Sequence, residues 1–384
     1  MIRKLKNLKS NEDHLRLLND IKNGKARVIT YGMTDHNHNY FLLAKDFFSA
    51  ENVVANFDSD KNKWGQKLGV GVTTMPLDAI TEMSKKVDGI IVMSDAAFQI
   101  GTYLETLGLS YCHVRLMHEK LPLVLEERLR IDKNKIAENA DKLNRVRSLL
   151  EDGRSKKVFD SVIAARSTDI PRERFLLLGE IATTGHYLPK FVPSFLPFKD
   201  EVFIDGGAFD GDTIRSLMKP GKEKRVYKRI YAFEPDPSSY AKLCQFVSYD
   251  PDITCYKKGL YSKETTMEFF SDLGEGSHVV EYAGESEMNH KRIKIEVCSI
   301  DNVIDDKVTF IKMDIEGSEL EALKGAEQTI RSNKPKLAVC LYHKIEDFWE
   351  IPLYINEIVP DYKFYLGHHH PGVDCYSTVL YALI

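Results

Sequence analysis

The sequence predicts an α/β protein with two sheet-bearing regions joined by a helical stretch. Three observations carry that prediction. Apolar strand-like segments alternate with helical segments twice, over residues 1–115 and again over 201–384. Between them, residues 116–200 are charged, helical in pattern and punctuated by proline. In the second region the apolar segments end on glycine or acidic residues, which in an open α/β sheet is where ligands bind.

In the first region, Arg27–Gly32, Asn52–Phe57, Asp88–Ser94 and Tyr111–Val114 read as strands of a small parallel α/β domain. Helices are expected at Tyr40–Phe48, Leu77–Lys85 and Ala96–Leu107, and before them an amphipathic helix within residues 1–24, with Leu5, Leu8, Leu15, Leu18 and Ile21 near helical spacing. Asp58 and Asp60 follow the second strand as a ribose-binding acid would. The stretch from Met33 to Asn39, however, lacks the later glycines of GxGxxG, and Asp35 would oppose a pyrophosphate. A structural or partner-binding role is expected for this domain.

In the connector, Leu121–Leu150 is expected to be helical, with apolar positions Leu125, Leu129, Ile136, Leu143, Val146 and Leu150, and residues 156–165 continue it. Pro171, Pro189, Pro193 and Pro197 then mark the approach to the next domain. In the second region strands are expected at Glu201–Asp205, Arg229–Glu234, Ile253–Lys257, Thr266–Phe270, Ile293–Cys298, Val308–Asp314, Lys336–Tyr342, Tyr362–Leu366 and Ser377–Ile384. Helices fit Thr213–Met218, Ser238–Tyr249, Glu319–Asn333 and Pro352–Ile358.

Composition narrows the function classes. A net charge of −4 gives no bulk attraction to nucleic acid or to an anionic membrane, so neither is expected as a partner. No run of about 18 apolar residues is present, so no transmembrane segment is expected. The basic start, Met1–Ser10, is not followed by the apolar stretch of a secretory signal. Six scattered cysteines without a CxxC pair fit reduced thiols in a cytoplasmic protein. The oligomeric state, homo-oligomer or monomer, is left open.

Four motifs carry chemistry. The first runs Asp205, Gly206, Gly207, Ala208, Phe209, Asp210, Gly211, Asp212, Thr213, between an apolar strand and a helix. Its glycines allow a sharp turn and close backbone approach. It lacks the Gly-Lys-Ser/Thr ending of a P-loop, and its three aspartates would repel phosphate. They suit a cationic ligand with an amino group, which S-adenosylmethionine offers. The second is Glu234-Pro235-Asp236. Glu234 ends the next strand, 29 residues after Asp205, where an acid accepts hydrogen bonds from ribose hydroxyls. The competing reading is an acidic helix start. The third, Thr309–Glu319, delivers Asp314 and Glu316 to the same sheet edge, where they can hold substrate, a metal or the amine of the cofactor. The fourth ends the following apolar run on Tyr342-His343-Lys344. The run of His368, His369 and His370 reads either as a surface hairpin tip or as a cover over an acceptor, and no dedicated metal site is assigned in the chain.

Taken in this order, residues 202–213, 232–236, 299–301, 310–319, 338–343 and 378–381 resemble the FkbM family of methyltransferases, over about residues 200–384. The resemblance implies a class I methyltransferase fold, a Rossmann-like seven-stranded sheet with a reversed hairpin at one edge. It implies S-adenosyl-L-methionine as cofactor and O-methylation of a small-molecule or glycan acceptor, commonly a hydroxyl of a sugar, a glycan or a polyketide-type product. By position, Asp205, Gly207 and Asp210 would line the methionine end of the cofactor, with Gly206, Ala208, Phe209 and Thr213 in the same loop. Glu234 and Pro235 would meet the ribose, and Asp314 and Glu316 would border the reacting centre. Residues 266–295 would form a β-rich insertion that shapes the acceptor pocket. The first domain resembles the Rossmann-like nucleotide-binding modules found beside sugar-modifying enzymes, with a degenerate loop.

A hydroxyl is too weak an acid to ionise at neutral pH, so methyl transfer needs a proton acceptor. His343 is expected to be that base, assisted by Asp314 or Glu316. Two rival readings fit the same residues: N-methylation of an aminosugar, and a non-catalytic module that keeps the cofactor fold. Intact Asp205, Glu234, Asp314 and Glu316 argue against the second.

Overall fold

The structure, a computed structural model, describes residues 16–17, 19–21, 23–33, 51–68, 71–94, 97–113, 132–168, 171–196, 200–218, 226–270, 292–370 and 375–384. It divides into two compact units: Met1–Lys133 with Ser161–Ala182 and His370–Cys375, and Asn134–Asp160 with Thr183–His369 and Tyr376–Ile384. Among the described residues no helix is long and apolar enough to cross a membrane. Among the described residues the six cysteines form no disulfide.

The first unit holds the expected parallel sheet. Its strands are β1 (Val28–Tyr31), β2 (Val53–Phe57), β3 (Thr74–Met75), β4 (Gly89–Val92) and β5 (Cys112–His113), in the order β3-β2-β1-β4-β5. Every pairing is parallel, and the central strands are buried, which is why they read as unbroken apolar runs. β3 was not expected. At two residues it is too short to show a period. The expected helix at Tyr40–Phe48 and the stretch 34–39 lie outside the described residues. So does most of the first helix, of which Leu17 and Ile21 are buried in the core.

Where the chain leaves β1, a buried amide takes the place of a glycine loop. Asn56 Oδ1 accepts from Thr30 Oγ1 at 2.9 Å and from the Met33 amide at 3.1 Å. Its Nδ2 donates to Met33 O and Thr74 Oγ1, both at 3.1 Å. Asp58 is equally committed, to Lys63 Nζ at 2.8 Å and to the Asp60 amide at 2.9 Å. Both favour a structural duty for this strand edge.

The second unit is built on seven strands: β6 (Glu201–Gly206), β7 (Tyr227–Phe233), β8 (Ile253–Tyr256), β12 (Phe310–Met313), β13 (Lys336–Cys340), β14 (Lys363–His368) and β15 (Thr378–Leu383). Their order is β14-β15-β13-β12-β6-β7-β8, and only β15 runs antiparallel to its neighbours. This is the Rossmann-like sheet with a reversed edge hairpin that the family resemblance implies. A second sheet, β10-β11-β9, contains β9 (Gly259–Leu260), β10 (Thr265–Phe270) and β11 (Arg292–Cys298). It accounts for the ends of the expected insertion, whose middle, 271–291, lies outside the described residues.

Three details differ from the sequence expectations or refine them. First, the described residues of the connector divide between the two units. Helix Ala140–Leu149 buries Leu143 and Val146, and Leu150 bridges Phe364 beside β14. Second, Pro171 opens a helix, Pro171–Ile181; proline fits the first helical turn because that N–H needs no helical partner. Third, the helix expected over Glu319–Asn333 breaks into Glu319–Lys324 and Glu327–Asn333. The break falls at Gly325, where a Cβ would meet Tyr261 O at 2.1 Å.

Asn56→Ala would orphan the buried Met33 amide and two hydroxyls. We expect a loss of roughly 1–3 kcal/mol in unfolding free energy, read by urea titration. A change below about 0.5 kcal/mol would mean that the amide does not hold this turn.

Candidate active site

The glycine turn forms where β6 ends. Gly207 takes φ 74°, and a Cβ there would meet Asp314 O at 1.8 Å, so the position admits no side chain. Phe209 also has a left-handed φ of 47°, which a non-glycine residue adopts only under tertiary constraint. The constraint is Glu234: its Oε2 accepts from the Phe209 amide at 2.8 Å, and its Oε1 accepts from the Asp236 amide at 2.8 Å. Burial pushes the Glu234 carboxyl up to about 7, against the pull of those two amides.

Below the turn lies a buried ion pair. Lys312, in the middle of β12, stands beside Asp205 of β6 in register. Its Nζ is 3.0 Å from Asp205 Oδ1 and donates to Gly207 O at 2.6 Å. Burial pushes Asp205 up to about 6, with Lys312 opposing the shift, and Asp205 and Asp314 keep Lys312 cationic despite its own burial. Asp205 is fully buried, so it supports the loop from beneath. Asp210 turns to Arg215 at 3.4 Å, and Ala208 points into the core. Among the described residues, Asp205 Oδ2 and Thr213 Oγ1 are buried without a hydrogen-bond partner.

One strand over, Asp314, Glu316 and His343 come together. His343 Nε2 is 3.5 Å from Asp314 Oδ1 and 3.3 Å from Glu316 Oε2. Glu316 reaches this position through a left-handed backbone, φ 56°. The His343 Nδ1 lies 2.9 Å from Glu319 Oε1, and Glu319 is itself fixed by the Ile315 and Gly317 amides. Burial would lower the imidazole pKa, but Glu319 and Glu316 outweigh it and raise it well above the usual histidine range. Asp314 accepts from Tyr187 Oη at 2.5 Å and Tyr342 Oη at 2.7 Å. Burial alone would raise Asp314, yet His343, Lys312 and the two phenols hold it well below the usual carboxylate range.

Tyr187, Lys312 and Glu319 had no site role in the sequence reading. Tyr187 comes from the stretch read as connector. Lys312 is a charge inside an apolar run, and that was a usable signal. Glu319 read as a helix-start residue, a part it combines with holding His343. Of the three histidines, His368 does not sit at a surface tip: it is fully buried in β14, with Nδ1 2.9 Å from Thr378 Oγ1. His369 lies 2.6 Å from Tyr381 Oη, and burial pushes it down to about 3.

The sheet order and the glycine turn after its first strand are those of a class I methyltransferase fold. Residues 205–367 match the model of the methyltransferase FkbM domain. The chain's fold resembles the crystal structure of the FkbM methyltransferase from Methylobacillus flagellatus KT, with a TM-score of 0.55 and 23% identity over 96% of this chain and 94% of that one. A smaller likeness, TM-score 0.30 and 12% identity over 50% of this chain and 70% of that one, joins it to Aeropyrum pernix fibrillarin with natively bound S-adenosyl-L-methionine. No curated protein matches the sequence.

Removing the buried cation tests the electrostatics. Lys312→Met leaves Asp205 and Asp314 without their shared charge, at a cost of roughly 3–5 kcal/mol. The sign with pH follows from Asp205, already raised from 3.8 to about 6. Without Lys312 its folded pKa rises further, so the folded state binds a proton that the unfolded state releases earlier. The deficit relative to wild type should be largest near pH 8 and shrink towards pH 5 in urea unfolding. A deficit equal at both pH values would contradict this.

Proposed function

We propose that this methyltransferase uses S-adenosyl-L-methionine to methylate a hydroxyl of a sugar, a glycan or a related natural product. The observation that carries the reading is the succession of acids along neighbouring strand ends, Glu234 after β7 and Asp314 after β12, on either side of the Gly207 turn. The residues fit the cofactor. The turn leaves room where a Cβ would not fit, and the acids suit a sulfonium cation and an ammonium group. Each Glu234 oxygen keeps a lone pair for a ribose hydroxyl beyond the backbone amide it already accepts. When bound, the cofactor supplies an electrophilic methyl group. The chain's own work is to orient it, to hold the acceptor in line and to take up the acceptor proton.

Asp314, Glu316 and His343 border the place where that proton leaves. A base role for His343 itself requires a neutral imidazole, whereas the surrounding carboxylates favour its cation. N-methylation of an aminosugar is a weaker reading, since an amine sheds its proton before reaction and has less need of such a cluster.

Glu234→Ala should weaken S-adenosylmethionine binding about ten- to a hundredfold, the worth of a hydrogen bond to a charged group. Because hydroxyl donors prefer the carboxylate form, wild-type affinity should fall as pH drops below about 7, the Glu234 value. Calorimetry at pH 6 and pH 8 reads both effects. Unchanged affinity in the variant removes Glu234 from the ribose role.

His343→Gln should lower kcat/KM by at least roughly a hundredfold while leaving cofactor affinity nearly unchanged. Radiolabelled methyl transfer measures the first and calorimetry the second. Near-normal turnover would take His343 out of the chemistry.

A further inference from the structure

We propose that Asp314 Oδ1, Glu316 Oε2 and His343 Nε2 bind one divalent metal ion of the Mg²⁺ or Mn²⁺ type, which activates the acceptor hydroxyl. The use of the ion rests on the methyl-transfer reading above; its binding does not.

Distances are the first argument. The three ligand atoms lie within 4.8 Å of one another, with Nε2 at 3.5 Å from Asp314 and 3.3 Å from Glu316. Ligands in adjacent positions around an ion at about 2.1–2.4 Å stand about 3.0–3.4 Å apart. Charge-assisted hydrogen bonds close instead to about 2.7–2.9 Å. The same imidazole shows that shorter contact on its other side, 2.9 Å to Glu319. The Nε2 face is thus wider than the closed Nδ1 face, with the Glu316 separation inside the range for a shared ion and the Asp314 separation just beyond it.

The surroundings are the second argument. A metal-bound histidine almost always gives its other N–H to a carboxylate, which fixes the ring and its tautomer. Glu319 Oε1 stands 2.9 Å from Nδ1, in the place of such a carboxylate, and Glu319 is fully buried and held by two backbone amides. Tyr187 and Tyr342 orient the Asp314 carboxylate in the same manner. His343 has 4% of its side chain exposed, whereas Asp314 and Glu316 keep 20% and 25%. The open side of the triad thus faces out from two carboxylates, with the imidazole at its back.

The chemistry balances. Two carboxylates and a neutral imidazole offset a divalent charge, and carboxylate oxygens with one nitrogen suit Mg²⁺ or Mn²⁺ better than softer ions. The acceptor hydroxyl binds the ion through oxygen, which lowers its pKa, and its proton passes to solvent water. The oxygen lone pair then attacks the methyl carbon of S-adenosylmethionine. The C–S electron pair returns to sulfur, giving a neutral thioether and a methyl ether. His343 serves here as a ligand, and the ion supplies the acidity.

Mn²⁺ is the probe, titrated into the full chain without cofactor or acceptor and followed by loss of the free-ion electron paramagnetic resonance signal. One saturable site is expected, weakened at least about tenfold in Glu316→Gln and in His343→Gln, with melting curves checking that each variant folds. No saturable site in wild type, or wild-type affinity in both variants, overturns the proposal; the wild-type titration decides even if a variant unfolds. Mn²⁺ bound by a chain that fails to bind S-adenosylmethionine would sustain the ion site and count against the methyl-transfer reading alone.

Discussion

Lys312 is an ammonium group inside a sheet, and its charge organises what surrounds it. An unpaired charge there would cost several kcal/mol. It is tolerated because Asp205 lies 3.0 Å away, Asp314 adds a second negative charge and Gly207 O accepts a hydrogen bond. These partners belong to different strands and loops. The ion pair therefore ties β6 to β12 and fixes the carbonyl of the glycine turn in one step. Gly207 completes the arrangement from above, since its bare Cα lets the turn close against Asp314 O.

Around this pair the acids have separate duties. Asp205 neutralises Lys312 out of contact with solvent. Glu234 shapes the turn through two backbone amides and keeps lone pairs for a ligand. Asp314, held by Tyr187, Tyr342 and His343, is partly open. A site so rich in carboxylates is suited to a cation such as a sulfonium and unsuited to phosphate. That follows from the sign of the charge, before any likeness to another protein is considered.

Much of this was legible in the sequence because strand ends are local features. Asp205, Glu234, Asp314 and His343 each close, or closely follow, an apolar run, and in a parallel sheet such ends share one edge. The sheet order then brings β7, β6, β12 and β13 side by side. What stayed hidden depends on tertiary packing. Tyr187 meets Asp314 from 127 positions earlier, in a stretch that read as connector. The helix break at Gly325 exists because Tyr261 O approaches there, and nothing near Gly325 in sequence announces it. The division of the connector between two units follows from contacts such as Leu150 with Phe364, which no periodicity encodes.

The central claim is that the strand-end acids serve methyl transfer to a hydroxyl. The most direct test is incubation of the full chain with S-adenosylmethionine carrying a labelled methyl group, a panel of nucleotide sugars and cell glycans, and Mn²⁺, with products resolved by mass spectrometry. The account predicts a labelled methyl ether on a carbohydrate oxygen, with one S-adenosylhomocysteine formed per methyl transferred. Label found only on nitrogen, or cofactor bound with no methyl transferred to any acceptor in the panel, would contradict it.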